Sequence, residues 1–219
     1  MKSVLMTGAS GGIGSAIKKL LLENGYKVST IGRRDAQIVC DLKDSKLLAK
    51  EVEKWLKAND VDVLINAAGF GLFDPLESTR PEKIDELISV NLTAPITLSH
   101  LCLKKFKKQH SGHIVNIASI EATRHARFSS IYTATKSGLR DFSLSLFEEL
   151  RGSGVAVSCI NPDMTKTPFF NELRFAPGEE DGSFIEPETI AKTLLFILEN
   201  PSTVCDITLR APKFGIVKK

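Results

Sequence analysis

Apolar residues are distributed along the chain in two alternating patterns, short runs and helical stripes. The short runs predict strands at residues 3–6, 26–31, 38–40, 61–66, 113–118, 155–160 and 204–209. Stripes with apolar positions three or four residues apart predict the helices between them. One runs from Ile13 to a stop signal at Asn24-Gly25, and the others span residues 45–58, 81–91, 95–108, 131–151 and 187–200.

Strands that alternate with helices pair in parallel through right-handed crossovers, which places helices on both faces of the sheet. The chain contains no internal repeat and no linker that would separate a second domain. We therefore expect residues 1–219 to form one α/β domain of the doubly wound, Rossmann type, with a mainly parallel sheet of about seven strands. Ligands of such folds bind beyond the carboxyl ends of the strands.

Three residues suggest where helices begin. Ser45 is predicted to be the N-cap of the helix at residues 45–58, because a serine hydroxyl can accept a hydrogen bond from a free N–H of the first turn. Pro81 and Pro95 each stand at or near a first helical turn, a position where proline is favoured. The prolines therefore predict two separate helices in this region.

Composition and charge are those of an ordinary globular chain. Of 219 residues, 42% are hydrophobic and 25% charged, and the net charge of +3 is too small to indicate nucleic-acid binding. No apolar run approaches the roughly 18 residues needed to cross a membrane, and the N-terminus lacks a secretory pattern. The cysteines show no CxxC spacing, so we expect reduced thiols, no metal site and a cytoplasmic location. They are Cys40, Cys102, Cys159 and Cys205.

A glycine-rich turn, TGASGGIG at residues 7–14, lies between the first predicted strand and the first helix. Glycine allows positive φ angles and lets a phosphate approach bare N–H groups, and the helix N-terminus behind the turn favours negative charge. The turn predicts a pyrophosphate site; a tight turn without a ligand is the alternative. The candidate cofactor residues are Gly8, Ser10, Gly12, Ile13 and Gly14.

The end of the second strand indicates which dinucleotide is bound. In NAD-binding folds an acid stands there, about 20 residues after the glycines, and binds the ribose hydroxyls. This chain has Arg33 and Arg34, with no acid before Asp35. Either arginine can bind a 2′-phosphate, so we predict NADP(H), with Arg33 the favoured ligand. The alternative is that both arginines are solvated, with Asp35 as a partner.

Three further side chains suit proton and hydride chemistry. Tyr132 and Lys136 are four residues apart on a predicted helix and therefore share one face. A phenol can donate a proton to a carbonyl that is being reduced, and a neighbouring ammonium is expected to lower its pKa by stabilising the phenolate. Ser119, just after a strand, can hold the substrate oxygen and stabilise the charge that develops on it.

Together these motifs resemble the short-chain dehydrogenase/reductase family, whose marks are TGxxxGxG, NAAG, an upstream Asn, and Ser followed by YxxxK. The resemblance extends from residue 1 to about 167, and loosely to the final predicted strand. It implies that Lys136 also binds the nicotinamide ribose and that Asn91 holds a proton-relay water. The catalytic set it implies is Asn91, Ser119, Tyr132 and Lys136.

The resemblance also implies further cofactor contacts, by position in the motifs. They are Asp41 and Leu42 beside the adenine, Asn66, Ala67, Ala68 and Gly69 after the fourth strand, Tyr132 and Lys136, and Pro162, Thr165 and Thr167 near the nicotinamide. Asp163 replaces the glycine usual in the family, and Thr165 replaces an aliphatic residue. The link between the second and third strands is also too short for the helix that most relatives have there.

The substrate is expected to be chosen by a loop at residues 163–186. Its aromatic residues, Phe169, Phe170, Phe175 and Phe184, suggest an apolar or ring-containing carbonyl, or else they anchor the loop to the body. Another group of residues, Arg124, His125 and Arg127, can meet an anionic tail or lie in solvent.

The expected function is an NADP(H)-dependent oxidoreductase that reduces a carbonyl, or oxidises the alcohol, of a small molecule. A 3-oxoacyl thioester reductase and a non-catalytic NADP(H)-binding regulator are the alternatives. Neither a nucleic-acid nor a membrane partner is expected. The apolar stripe of the helix at residues 131–151, together with the resemblance, predicts a homodimer or homotetramer.

Overall fold

The predicted alternation of strands and helices is present in the computed structural model, which describes residues 1–219. Seven parallel strands form one sheet in the order β3-β2-β1-β4-β5-β6-β8, with helices on both faces. The strands are β1 Ser3–Thr7, β2 Lys27–Gly32, β3 Ile38–Val39, β4 Val63–Asn66, β5 Gly112–Ile117, β6 Val155–Pro162, β7 Phe175–Pro177, β8 Asp206–Leu209 and β9 Ile216–Lys218. The helices are α1 Gly12–Glu23, α2 Ser45–Ala58, α3 Pro81–Ile88, α4 Ala94–Gln109, α5 Ser130–Leu150 and α6 Pro187–Glu199. The predicted doubly wound fold is confirmed.

The core is two apolar layers, one on each face of the sheet. Successive strand residues point to opposite faces, so Leu5 faces one layer while Val4 and Met6 face the other. The layer that contains Leu5 is closed by α2, α4 and α5, and the other by α1 and α6. Both faces of the central strands are therefore buried, as a parallel sheet requires.

The N-cap of α2 is Asp44, not Ser45 as predicted. The Asp44 carboxylate accepts a hydrogen bond from the Leu47 backbone N–H at 2.9 Å, while Ser45 is the first residue with helical geometry. Both residue types favour this position. The backbone path from β3 places Asp44, one residue earlier, at the cap.

The two helices predicted at residues 81–91 and 95–108 are one continuous helical segment, Pro81–Gln109. A π-helical turn, Ser89–Thr93, joins α3 to α4, and the Ala94 N–H donates to the carbonyl of Ser89. Pro95 has no N–H to donate. The wider π-helical turn before Pro95 accommodates the missing hydrogen bond, so the helix continues instead of ending near Asn91.

This segment of 29 residues is long and apolar enough to span a membrane by length and composition alone, which the sequence analysis did not anticipate. Its apolar side chains, however, are used inside the fold. Leu87, Leu98, Cys102 and Phe106 are buried, three of them in the layer that contains Leu5. The segment is thus a core helix of this domain.

The apolar stripe of α5 is also used within the subunit. Leu139, Leu146 and Leu150 are buried, and Phe142 and Phe147 are half-buried against the same core layer. The excess of apolar surface from which association was predicted is therefore mostly absorbed by the core. A homodimer or homotetramer stays a prediction.

The sequence pattern missed a second, two-stranded sheet. β7 pairs antiparallel with β9, which is the last strand of the chain. Between β2 and β3 only residues 33–37 intervene and no helix is present, as the short link predicted.

The position of the α2 cap can be tested by substitution. Asp44→Ala is expected to lower the free energy of unfolding by about 1 kcal/mol, because the Leu47 N–H loses its acceptor. Ser45→Ala is the matched control and should change stability by only a few tenths of a kcal/mol, on the order expected for an uninvolved surface site. Urea denaturation followed by circular dichroism measures both. A larger loss in Ser45→Ala than in Asp44→Ala would show that the cap is misassigned.

Candidate active site

The four predicted catalytic residues come from three elements that meet at the carboxyl ends of the central strands. Ser119 follows β5 and caps a short 3-10 turn, Tyr132 and Lys136 lie on α5, and Asn91 lies in the π-helical turn. All four side chains are buried. The loops that lead from parallel strands to the following helices lie at this edge, so Ser119, after β5, is close to the N-terminal turns of α5 that carry Tyr132 and Lys136.

Asn91 is fixed by three hydrogen bonds. Its side-chain oxygen accepts from the Phe70 N–H at 3.1 Å, and its amide donates to the Phe70 carbonyl at 2.9 Å and to the Thr135 hydroxyl at 3.3 Å. Asn91 therefore ties the loop after β4 to α5. The π-helical turn places the residue toward this loop, a local geometry that the helical pattern did not predict.

Lys136 is a buried ammonium. Its Nζ donates to the Ile117 carbonyl at 2.9 Å and lies 5.9 Å from the centre of the Tyr132 ring. A Cβ atom added to Gly69 would lie 3.2 Å from this Nζ and 3.2 Å from the Asn91 side-chain oxygen, so these three residues surround one point. Burial lowers the pKa of Lys136 to about 8.

Tyr132 differs from the electrostatic expectation. Burial raises the pKa of its phenol to about 12, the Ser119 hydroxyl acts in the opposite direction, and Glu121 raises it further. The predicted lowering by Lys136 is wrong for the protein alone. The removal of the phenol from water dominates its pKa, and the ammonium of Lys136 donates to the Ile117 carbonyl instead. The phenol is therefore held in its protonated, donating form.

The glycine turn is packed so tightly that side chains are excluded. Gly8 has a φ angle of +74°, and a Cβ on Gly14 would lie 2.0 Å from the Gly8 carbonyl oxygen. A Cβ on Gly12 would lie 2.4 Å from Thr167 Cγ2. Helix α1 begins at Gly12 with no side-chain cap and no acid in its first turn. Bare N–H groups and a favourable helix dipole at this point fit the pyrophosphate of a dinucleotide.

The glycine turn and three of the four predicted catalytic residues, Ser119, Tyr132 and Lys136, line one cavity of about 570 Å³. Of the predicted residues, those that line it are Gly8, Ser10, Gly12, Ile13, Gly14, Ala67, Gly69, Ser119, Tyr132, Lys136, Pro162, Thr165 and Thr167. Those that do not are Arg33, Arg34, Asp41, Leu42, Asn66, Ala68 and Asn91.

Asn66 is part of the sheet, not of the cavity wall. Its side-chain amide donates to the Asn116 side-chain oxygen at 2.8 Å, and Asn116 in turn donates to the Ser143 hydroxyl at 2.8 Å. The two asparagines occupy paired positions on β4 and β5. The residue supports the strand ends that carry the site, so its assignment as a cofactor contact finds no support in its side-chain geometry.

The end of β2 leaves two cations free. Arg33 and Arg34 are exposed, and neither forms a salt bridge, so the alternative pairing with Asp35 is not observed. Asp35 itself has a positive φ angle of +49°. In the turn after β3, Asp41 accepts a hydrogen bond from the Lys43 N–H at 3.0 Å, and the next residue, Leu42, is half-buried.

Arg124 is occupied by acids at the edge of the cavity. It contacts Glu121 at 3.1 Å and Asp163 at 3.6 Å, and Arg210 contacts Asp163 at 3.3 Å. The aspartate that replaces the usual glycine therefore anchors the loop after β6 to two arginines. Arg127 lines the cavity, while His125 is exposed and does not.

Sequence reasoning missed several lining residues. Phe73 packs between Tyr132, at a centroid distance of 5.2 Å, and Phe175, at 4.9 Å. Ile216 and Lys218, from the end of the chain, also line the cavity. No motif marks these positions, because they belong to loops and a short strand that only the folded chain brings together.

A family model described as short chain dehydrogenase matches residues 2–177. Carbonyl reductase family member 4 of Xenopus laevis is 36% identical over 216 residues, covering 89% of this chain and 89% of its own length. These matches confirm the resemblance seen in the motifs.

Solved structures agree with the sequence matches. A putative NAD(P) dependent gluconate 5-dehydrogenase from Beutenbergia cavernae, with bound NADP, has a TM-score of 0.87 at 24% identity and covers 96% of this chain and 95% of its own. At this identity the likeness shows the fold. A short-chain dehydrogenase from Sphingobium yanoikuyae, in complex with NADPH, has a TM-score of 0.81 at 26% identity and covers 94% of this chain and 87% of its own.

The buried ammonium of Lys136 makes stability depend on pH. Between about pH 8 and its ordinary pKa of 10.5, the unfolded chain protonates this lysine and the folded protein does not. The unfolded state then binds more protons, so the contribution of Lys136 to the free energy of unfolding rises with pH in this window and is lost as pH falls to 8. Across this window the free energy of unfolding of the wild type should rise by about 3 kcal/mol relative to that of Lys136→Met.

Urea denaturation of the wild type and Lys136→Met across this window measures the difference. Lys192→Met, at an exposed position on α6, is the control and should follow the wild type at every pH. Parallel pH curves for wild type and Lys136→Met would contradict the assignment of a desolvated ammonium.

Proposed function

The chain belongs to the short-chain dehydrogenase family and is an oxidoreductase of that family, and we propose that it reduces a small apolar or ring-containing carbonyl with NADPH. One observation carries the proposal. The glycine turn, Ser119, Tyr132 and Lys136 all line a single cavity at the carboxyl edge of the sheet.

NADPH, when bound, supplies the hydride that adds to the carbonyl carbon. The Ser119 hydroxyl, buried beside Tyr132, holds the carbonyl oxygen and stabilises the negative charge that grows there. Tyr132 donates its phenolic proton to that oxygen, which completes the alcohol. Because burial raises the pKa of Tyr132 to about 12, the donor is protonated throughout the neutral range.

Lys136 and Asn91 prepare the site for this step. The Lys136 ammonium lies next to Gly69, where it can bind the nicotinamide ribose. A positive charge near Tyr132 also stabilises the phenolate that remains after proton transfer. Asn91 connects the loop after β4 to α5, because its side-chain amide donates to Phe70 in that loop and to Thr135 on the helix. We propose that Asn91 positions the proton relay.

The preference for NADP(H) over NAD(H) rests on the end of β2. Two exposed arginines without carboxylate partners stand where an NAD-binding fold has an acid. A guanidinium binds the 2′-phosphate of NADP(H) through paired, charge-assisted hydrogen bonds. NAD(H) has a hydroxyl in place of that phosphate and cannot form them. The Sphingobium structure contains NADPH, which agrees with this assignment.

The aromatic wall favours an apolar or ring-containing substrate. Phe73 and Phe169 contact the Tyr132 ring, and Phe170 and Phe175 continue the same cluster. Aromatic faces in a cavity bind apolar and ring-containing groups favourably. The relative from Xenopus laevis is named a carbonyl reductase, in keeping with this class. Arg124 is held by two acids, which weakens the case for a 3-oxoacyl thioester bound through it.

A regulator that binds NADP(H) without turnover would have no need of the complete set Asn91, Ser119, Tyr132 and Lys136. All four are present and buried, at the cost of desolvating an ammonium. The set therefore favours catalysis.

Tyr132→Phe tests the proton donor. The variant keeps the ring that packs on Phe73 but loses the hydroxyl, so carbonyl reduction should fall by about 100-fold or more while NADPH binding persists. NADPH oxidation at saturating carbonyl and cofactor titration by fluorescence measure the two properties. Tyr26→Phe, at the only other tyrosine, is the control and should retain activity. Turnover by Tyr132→Phe within a few-fold of wild type would exclude the proposed donor.

Arg33→Ala and Arg34→Ala test the cofactor preference. The arginine that meets the 2′-phosphate should, when removed, weaken NADPH binding by about tenfold or more, with little change for NADH. Arg151→Ala, an exposed arginine at the far end of α5, serves as the control. Equal affinity of the wild type for NADPH and NADH would refute the selector.

A further inference from the structure

The end of the chain is fastened to the predicted substrate loop. In the pairing of β9 with β7, Lys218 stands opposite Phe175 and Ile216 opposite Pro177. The match to the family model ends at residue 177. The C-terminal segment, residues 213–219, therefore lies outside the part of the chain that this family model describes.

Additional hydrogen bonds hold the C-terminal segment against the part of the loop between Phe170 and Gly182. They are Lys213 N–H to the Gly182 carbonyl at 2.8 Å, Gly178 N–H to the Gly215 carbonyl at 3.0 Å, Lys219 N–H to the Arg174 carbonyl at 2.9 Å, and Lys219 Nζ to the Phe170 carbonyl at 2.6 Å. A two-stranded ribbon alone is marginally stable in water. These bonds supply the support that the short pairing of β7 with β9 lacks.

The two backbones also cross without room for a side chain. A Cβ on Gly215 would lie 2.8 Å from Ser183 Cβ and 3.4 Å from Gly178 Cα. Glycine at both positions allows this close approach. The C-terminal segment is thus fitted to the loop and determines where the loop runs.

The loop in turn presents aromatic rings to the catalytic tyrosine. Phe175, on β7, packs edge-on against Phe73 with centroids 4.9 Å apart, and Phe73 packs on Tyr132 at 5.2 Å. The position of β9 therefore affects the substrate side of Tyr132 through two ring contacts, that of Phe175 with Phe73 and that of Phe73 with Tyr132.

Alternate residues of a strand point to one side, and in β9 these are Ile216 and Lys218, both of which line the cavity. We propose that β9 is a substrate-specificity element of the active site, in which Ile216 forms part of the apolar wall and Lys218 binds a carboxylate carried by the carbonyl substrate. This inference rests on the proposed carbonyl reduction and narrows its substrate class.

The charges around the cavity support a role for Lys218. The lining acids Glu121 and Asp163 are both paired with Arg124. Lys213, on the same segment, is paired with Glu180 at 3.6 Å, whereas Lys218 forms no salt bridge. A cation at the cavity without an internal partner is available to an anionic group of the substrate.

A matched pair of substrates tests the inference. We compare kcat/KM for 4-carboxybenzaldehyde and 4-methylbenzaldehyde, with NADPH, in the wild type, Lys218→Met and Lys213→Met. Lys218→Met should lower the ratio of kcat/KM for 4-carboxybenzaldehyde to kcat/KM for 4-methylbenzaldehyde by about fivefold, the size expected for a solvent-accessible ion pair. Lys213→Met, which changes the same charge on the same segment but away from the cavity, should leave the ratio at the wild-type value. A ratio that stays constant in Lys218→Met, or falls equally in both variants, overturns the proposal.

A binding measurement separates this inference from the proposed function. Calorimetric titration of the NADPH-loaded protein with 4-(hydroxymethyl)benzoate forms a complex that cannot react, because the cofactor and the ligand are both in their reduced forms, and Lys218→Met should weaken that binding by about fivefold. Failure of the wild type to oxidise NADPH with either aldehyde would count against carbonyl reduction. Equal binding of 4-(hydroxymethyl)benzoate by wild type and Lys218→Met would count against Lys218 alone.

Removal of residues 213–219 tests whether β9 forms part of the apolar wall of the cavity. The shortened chain should bind NADPH as the full chain does, because the cofactor residues lie elsewhere, but its KM for both aldehydes should rise several-fold. Unchanged KM values, with circular dichroism showing a folded domain, would contradict the role of β9.

Discussion

The parallel pairing of the central strands is the constraint on which the rest of the molecule depends. Because β1, β4, β5 and β6 run in one direction, their carboxyl ends meet at one edge, and each loop that follows them opens onto the same cavity. The glycine turn follows β1, Gly69 follows β4, Ser119 follows β5 and Thr167 follows β6. Residues far apart in the chain become neighbours without any long excursion of the backbone.

This edge contains buried polar groups that a simple apolar core would avoid. Each buried amide, hydroxyl or ammonium must find a partner, or it costs free energy on desolvation. The Asn66 amide donates to Asn116 and the Asn116 amide donates to Ser143 across β4, β5 and α5, while the Asn66 side-chain oxygen has no partner. Lys136 is satisfied by the Ile117 carbonyl. The polar network thus fixes the strand ends next to the side chains that we propose to be catalytic.

The proposed substrate side of the cavity is built differently from the proposed cofactor side. Around the glycine turn, backbone meets backbone, and the contact of Gly8 with Ala67 leaves no space for variation. Around Tyr132 the wall consists of aromatic side chains on short, irregular segments. These segments are held by β9 and by the ion pairs of Asp163 rather than by the main sheet. The fold can therefore keep one cofactor site while substrate preference changes with a few loop residues.

The order of strands and helices, the glycine turn and the Tyr132–Lys136 spacing follow from the sequence alone. They depend on local periodicity and on residues close together in the chain, which sequence records directly. The π-helical turn at Asn91 and the cap at Asp44 depend on backbone paths that neighbouring elements impose. The raised pKa of Tyr132 depends on burial, which no spacing reveals. Likewise, the place of Ile216 and Lys218 beside the cavity was decided only in the folded chain, because antiparallel pairing joins residues some 40 positions apart.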